Sequence, residues 1–132
     1  MTRQSTFTRL PSTVLLLLGA APVLAQAPAS APAGWPARPI TIVVPTTPSS
    51  ASDVWSRMYS KAVGEATGWR FLIDNKPGAG ATLGTAFVAK AAADAHTLLT
   101  VSSTFTTAPV TYKNLGWEPI RSFAPISLFS NG

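Results

Sequence analysis

The sequence predicts an α/β fold, a parallel sheet with flanking helices, and three observations carry that reading. A β-branched run, ITIVV from Ile40 to Val44, is closed by Pro45, and similar short runs recur at WRFLID and TLLTV. Between them, apolar residues recur at helical spacing, at Val54, Met58, Ala62 and Ala66, then at Leu83, Phe87 and Ala91. The connections are short, and strands alternating with helices through short connections pack as a parallel sheet with helices laid on it.

Taken in order, Ile40 to Val44 has the composition of a strand buried on both faces. Pro45 to Ser52 is a loop without bulky side chains, and Asp53 to Thr67 reads as a helix. Trp55, Tyr59 and Val63 lie beside its apolar stripe, which is expected to face the sheet. Gly68 is the natural stop. Trp69 to Asp74 reads as the second strand, Asn75 to Gly80 as a turn, and Ala81 to Ala93 as the second helix. Thr97 to Val101 is the expected third strand, and Ser102 to Thr107 a small polar loop. Phe123 to Phe129 reads as a fourth strand, at an edge or bend because of Pro125.

Composition narrows the function classes. Of 132 residues 46% are hydrophobic and 11% charged, which argues against disorder. There is no cysteine, so disulfides, thiolate catalysis and cysteine-based metal sites are excluded, and a single histidine, His96, removes any paired-histidine metal site. No metal and no cofactor are expected.

Residues 1–25 have the three parts of a secretory signal: Arg3 and Arg9, then the apolar VLLLLGAA, then Pro22 and Val23-Leu24-Ala25 before the expected cleavage. The apolar run of 12 residues from Val14 to Ala25 is short of the roughly 20 that span a bilayer, so no membrane span is expected in the mature chain. Removing the leader takes two of the ten basic residues with it. The basic residues that remain are scattered without an aromatic platform, so no nucleic acid is expected as a partner. Residues 26–36, rich in Ala and Pro, read as an extended tether.

In an open parallel sheet, ligands sit beyond the carboxyl ends of the strands. The first loop there, Thr46, Thr47, Pro48, Ser49, Ser50, Ala51 and Ser52, offers five hydroxyls at the start of a helix. Unpaired amides and the helix dipole make such a place an anion cradle. The same residues also read as an ordinary cap, with Ser52 or Asp53 closing the helix. Asp53 would repel an anion if it pointed inward, so a helix-start role suits it. The second loop carries Gly78 and Gly80, but neither the dinucleotide fingerprint nor a P-loop, and these glycines read as turn residues. The third, with Ser102, Ser103, Thr104 and Thr106, offers further hydroxyls.

No catalytic residue is expected. His96 lies before a strand, at the end opposite the loops, and reads as a surface or turn histidine, with Asp94 as a turn residue. A small exported serine hydrolase using the first loop would need a G-x-S-x-G elbow and a nearby histidine, and has neither. A non-binding structural or signalling domain is the third alternative.

The stretches WPARPITIVVP, DNKPGAGATLGT, ADAHTLLTVSS and LGWEPIRSFAPISL resemble, in this order, the N-terminal part of the Bug proteins, the periplasmic receptors of tripartite tricarboxylate transporters. The resemblance implies part of the first lobe of a two-lobed periplasmic binding protein, with residues 37–132 an incomplete solute-binding domain that reaches the start of the crossover. It implies a small carboxylate ligand, held by Thr46 to Ser52 and by Ser102 to Thr106 through amides, hydroxyls and water. It also implies a membrane permease as partner of the full-length parent. The first loop departs from the family: Ser49-Ser50 stands where members usually carry Gly-Gly, and Thr46 where an aromatic is common. The family continues beyond Asn131-Gly132 into a second lobe, so one wall of a cleft, with an exposed sheet edge, is the expectation for this chain.

Overall fold

The structure, a computed structural model, describes residues 34–129. The signal peptide expected over 1–25, and the tether as far as residue 33, lie outside the described residues. Three strands and three helices alternate: β1 (Ile40–Val44), α1 (Ala51–Thr67), β2 (Phe71–Asn75), α2 (Thr82–Ala89), β3 (Thr97–Leu99) and α3 (Ser103–Thr111). All strand pairs are parallel, in the order β2-β1-β3, with Ile40 opposite Phe71 and Thr41 opposite Thr97.

The central strand is the run with the most β-branched residues. Ile40, Ile42, Val43 and Val44 are buried, as a strand paired on both edges and covered by helices requires. Its ends coincide with the expected ones because Pro45 has no N–H to continue the ladder. Helix α1 ends where Gly68 takes φ 75° and donates its N–H to the Gly64 carbonyl.

The helix faces differ from expectation. Val54, Trp55, Met58 and Tyr59 are exposed, and the side of α1 turned inward carries Asp53, Ser56, Ser60 and Gly64 instead. Ser56 and Ser60 donate to the carbonyls of Ser52 and Ser56, so their burial leaves no hydroxyl proton unpaired. Small side chains also let the helix lie close: a Cβ on Gly64 would stand 3.1 Å from the Trp69 carbonyl oxygen. The same reversal holds in α2, where Leu83 and Phe87 are exposed and Gly84 and Thr85 are buried. A Cβ on Gly84 would meet the Lys76 carbonyl at 2.8 Å and Pro45 Cβ at 2.9 Å, so this helix rests directly on the end of β1.

Other boundaries shift. Helix α1 starts two residues early, at Ala51, while β2 starts at Phe71, α2 ends at Ala89 and β3 ends at Leu99. The polar stretch from Ser103 is the first turn of α3, not a loop, and Pro109 is accommodated within that helix. The expected fourth strand over Phe123 to Phe129 does not form. Phe123 is drawn edge-on against Phe105 and Trp117, with ring centroids 5.3 and 5.8 Å away, while Phe105 stacks on Trp117 at 5.1 Å. That aromatic cluster and the packing of Phe129 on Tyr59, at 5.0 Å, rather than strand pairing, hold the segment after α3 to the fold.

His96 is a further correction. It is 6% exposed, packed beside Trp35 at 5.7 Å, because its carbonyl accepts the Thr41 N–H at 2.8 Å and so ties it to the central strand. Asp94 does make a turn, accepting the His96 N–H and pairing with Arg38 at 2.9 Å.

Candidate functional site

The parallel arrangement brings the carboxyl ends of β1, β2 and β3 to one edge of the sheet, and the connections to α1, α2 and α3 leave from there. At the first connection, Ser50 is the N-cap of α1, with its Oγ accepting the Asp53 N–H at 3.3 Å; the cap is therefore neither Ser52 nor Asp53. Thr46 Oγ1 lies 2.6 Å from Ser50 Oγ and steadies it. With Asp53 N–H capped, the amides of Ala51 and Ser52 have no acceptor within the helix, as at every helix start.

Asp53 is 3% exposed and fully engaged. Its Oδ2 accepts from Arg57 Nε and from the Ser49 N–H, each at 2.9 Å, and its Oδ1 from Asn75 Nδ2 at 3.0 Å. The Arg57 guanidinium first, then the Ser49 N–H and Asn75, hold the carboxyl well below the usual carboxylate range. Asp53 thus acts from the third position of the helix back onto the loop, close to a capping box. Its charge is met by Arg57, so it does not oppose an anion at the helix start.

Asn75, at the end of β2, is a residue that sequence reading leaves in a turn. Its Nδ2 also donates to the Thr46 carbonyl at 3.2 Å, and Arg57 Nη2 donates to its Oδ1 at 3.3 Å. An asparagine directly after a strand and opposite the first loop is the signal that could have found it.

At the third connection Ser102 is the N-cap of α3 but makes no side-chain cap; its Oγ lies 3.0 Å from Thr104 Oγ1. Thr106 Oγ1 is turned back onto the Ser103 carbonyl at 2.8 Å, which commits its proton to its own helix. The Ser56 and Thr100 hydroxyls, 2.8 Å apart, tie α1 to the end of β3. Gly78 and Gly80 take φ 136° and 61° in the second connection.

A small cavity is lined by Pro45, the Gly80–Thr82 turn, Ser102, Thr104 and Trp117, among others; none of Thr46 to Ser52 lines it. The structure therefore brings Pro45 and the second and third connections together around that cavity. Ala81, Thr82 and Trp117 are lining residues that sequence reading did not single out. His96 lies before β3, at the opposite edge from Ser49 and Ser50, so no histidine base meets these serines.

Two helix starts rich in hydroxyls and amides thus lie beyond the strands of a parallel sheet, the edge at which open α/β sheets bind ligands. Solved structures share this architecture. Over 70% of this chain and 31% of the other, it superposes on the periplasmic binding protein BugD with a TM-score of 0.67 at 39% identity. Over 69% of this chain and 31% of the other, it superposes on MatC from Rhodopseudomonas palustris with bound malate, with a TM-score of 0.64 at 33% identity. Residues 56–131 match the model of the tripartite tricarboxylate transporter family receptor. A UPF0065 protein of Agrobacterium vitis is 35% identical over 117 residues, 89% of this chain and 33% of that protein. The protein BugT of Bordetella pertussis is 38% identical over 96 residues, 73% of this chain and 28% of that protein. The chain belongs to the tripartite tricarboxylate transporter receptor family, the Bug-type periplasmic receptors. It spans about a third of the length of the curated relatives it matches.

Proposed function

We propose that this chain forms the ligand-gripping part of the first lobe of a periplasmic receptor that captures a small carboxylate for a tripartite transporter. The observation that carries the reading is that α1 and α3 both start at the carboxyl edge of the sheet, after the adjacent strands β1 and β3, with Asp53 paired to Arg57. The ligand residues are Thr46 to Ser52, chiefly the amides of Ala51 and Ser52, and Ser102, Ser103, Thr104 and Thr106. Similarity to structures holding malate and adipate supports a di- or polycarboxylate. Residues 1–25 direct export to the periplasm, and a membrane permease receives the solute from the whole receptor. No helix among the described residues is long and apolar enough to cross a membrane.

The described residues supply one wall of a cleft, so binding to this segment by itself is expected in the millimolar range. Titration of the isotopically labelled chain with malate and adipate tests it by NMR. The expected result is progressive shifts confined to the amides of Ala51, Ser52, Ser103 and Thr104 at millimolar ligand, with neutral diols as controls. Absence of shifts at saturating concentrations overturns the ligand assignment, and low-micromolar affinity overturns the half-cleft argument.

A further inference from the structure

We infer that the outward face of α1 is a self-pairing surface, on which a second copy of this chain lays its own α1 antiparallel. The inference goes beyond the carboxylate reading and does not depend on it.

The face is apolar and open. Trp55, Met58 and Tyr59 are 50, 57 and 44% exposed, Phe129 packs on Tyr59 at 5.0 Å, and Leu128 is 74% exposed. These side chains and Ser127 line an open groove of about 260 Å³, and Ala62 and Ala66 continue the stripe along the exposed side of the helix. Together they leave on the order of 600 Å² of surface per copy, so a pair would bury about 1,200 Å², at the lower bound for a specific interface.

Three observations select a copy of this chain as the partner. Trp55, Tyr59, Ala62 and Ala66 are spaced by four, three and four residues, the seam along which one helix lies against another. The seam is bulky at its N-terminal end and small at its C-terminal end. An antiparallel second copy sets Trp55 against Ala66 and Tyr59 against Ala62, and by two-fold symmetry the reverse, so each large ring meets a methyl group. A parallel copy would crowd the rings at one end and leave a gap at the other. The charges of α1 point the same way: Asp53 pairs with Arg57 and Lys61 with Glu65 within the helix, so the element carries no net charge. Such a helix has nothing to attract an acidic or basic partner, and it lacks the cationic fringe that draws an amphipathic helix to a lipid surface.

Sedimentation of the purified chain over a range of concentrations tests the pairing. A single monomer–dimer equilibrium is expected, with a midpoint on the order of 100 µM and no larger species, since a two-fold contact closes on itself. Ala62→Glu, an exposed change to another good helix former, should weaken the dimer at least tenfold and leave the far-ultraviolet circular dichroism unaltered. The chain has no cysteine, so Lys61→Cys and Glu65→Cys, on the flank of the seam, each carry one spin label per copy. In the antiparallel pair the two labels are expected close together at 61 and further apart at 65, by about 12 Å more along the helix axis; in a parallel pair the two distances are equal. Equal distances, association unaffected by Ala62→Glu, or sedimentation as a monomer with neutral phosphatidylcholine vesicles each overturn the inference. So does a chain that stays monomeric at millimolar concentration, which would leave the face to the further length that the matched relatives have. Carboxylate is absent throughout, so the outcome does not bear on the ligand reading.

Discussion

The backbone N–H of Ser49 donates to the Asp53 carboxylate at 2.9 Å while Ser49 itself stands at φ 67°, in the left-handed region. The first loop is thus held in a conformation that favours glycine by a side chain one helical turn ahead. Ser50, by contrast, is extended, at φ −68°, and acts as an ordinary cap. Of the two serines that replace the family's usual glycines, only the first occupies a glycine conformation.

Ser49→Gly should therefore stabilise the chain. A left-handed non-glycine residue costs about 1–2 kcal/mol, and glycine returns part of that as unfolded-state entropy. A gain of about 0.5–1 kcal/mol is expected in urea unfolding, because the contact to Asp53 is made by backbone and survives. Ser49→Val should lower stability instead.

The two helix caps should respond unequally. Ser50→Ala removes a side-chain cap and should cost about 1 kcal/mol in the same unfolding experiment. Ser102→Ala removes no such bond from α3 and should cost a few tenths at most.

Asp53 should shape the acid limb of stability. Its carboxyl is held below the ordinary value of 3.8 by Arg57, Ser49 and Asn75, so its contribution is complete above that value. The contribution is lost as pH falls through the lowered folded value. Asp94, lowered by the His96 N–H and then Arg38, acts in the same direction. In urea midpoints measured from pH 7 down to pH 2, Asp53→Asn should start lower and show a shallower decline than the parent.

Gly84→Ala should be costly although alanine is the better helix former. The added methyl would press on the Lys76 carbonyl at 2.8 Å and on Pro45 at 2.9 Å. A loss of about 1–3 kcal/mol is expected, with amide shifts at Pro45's neighbours and Lys76 marking where the backbone yields.

The outward face of α1 should govern solubility rather than folding. Met58 is 57% exposed beside Trp55 and Tyr59. Met58→Lys should change unfolding free energy by less than about 0.5 kcal/mol while reducing self-association in light scattering and dye binding to apolar surface.

Much of the fold is legible in the chain because local chemistry decides it. Ile40 to Val44 is a strand bounded by a proline, Gly68 ends a helix, and alternation through short connections makes the sheet parallel. The strand ends carry the hydroxyl-rich stretches to one edge by topology alone. Helical periodicity, however, reports only that Val54, Met58, Ala62 and Ala66 share a side, not which side meets the sheet. Strand propensity in Phe123 to Phe129 likewise says nothing about a competing aromatic partner.

The sequence by itself determined the order of elements from β1 to β3, the family resemblance and the residues gathered at the sheet's carboxyl edge, since each rests on neighbours along the chain. The tertiary structure alone decided which faces are buried and what Asp53 does. Close packing of α1 on the sheet selects Ser56, Ser60 and Gly64 over larger apolar side chains. The partners that neutralise Asp53 come from a loop, a helix turn and another strand: Ser49, Arg57 and Asn75. Contacts of that kind are set by distance in space: the position of Asn75 after a strand marks it as a candidate, but its partner Asp53, 22 positions away, is fixed only by the fold.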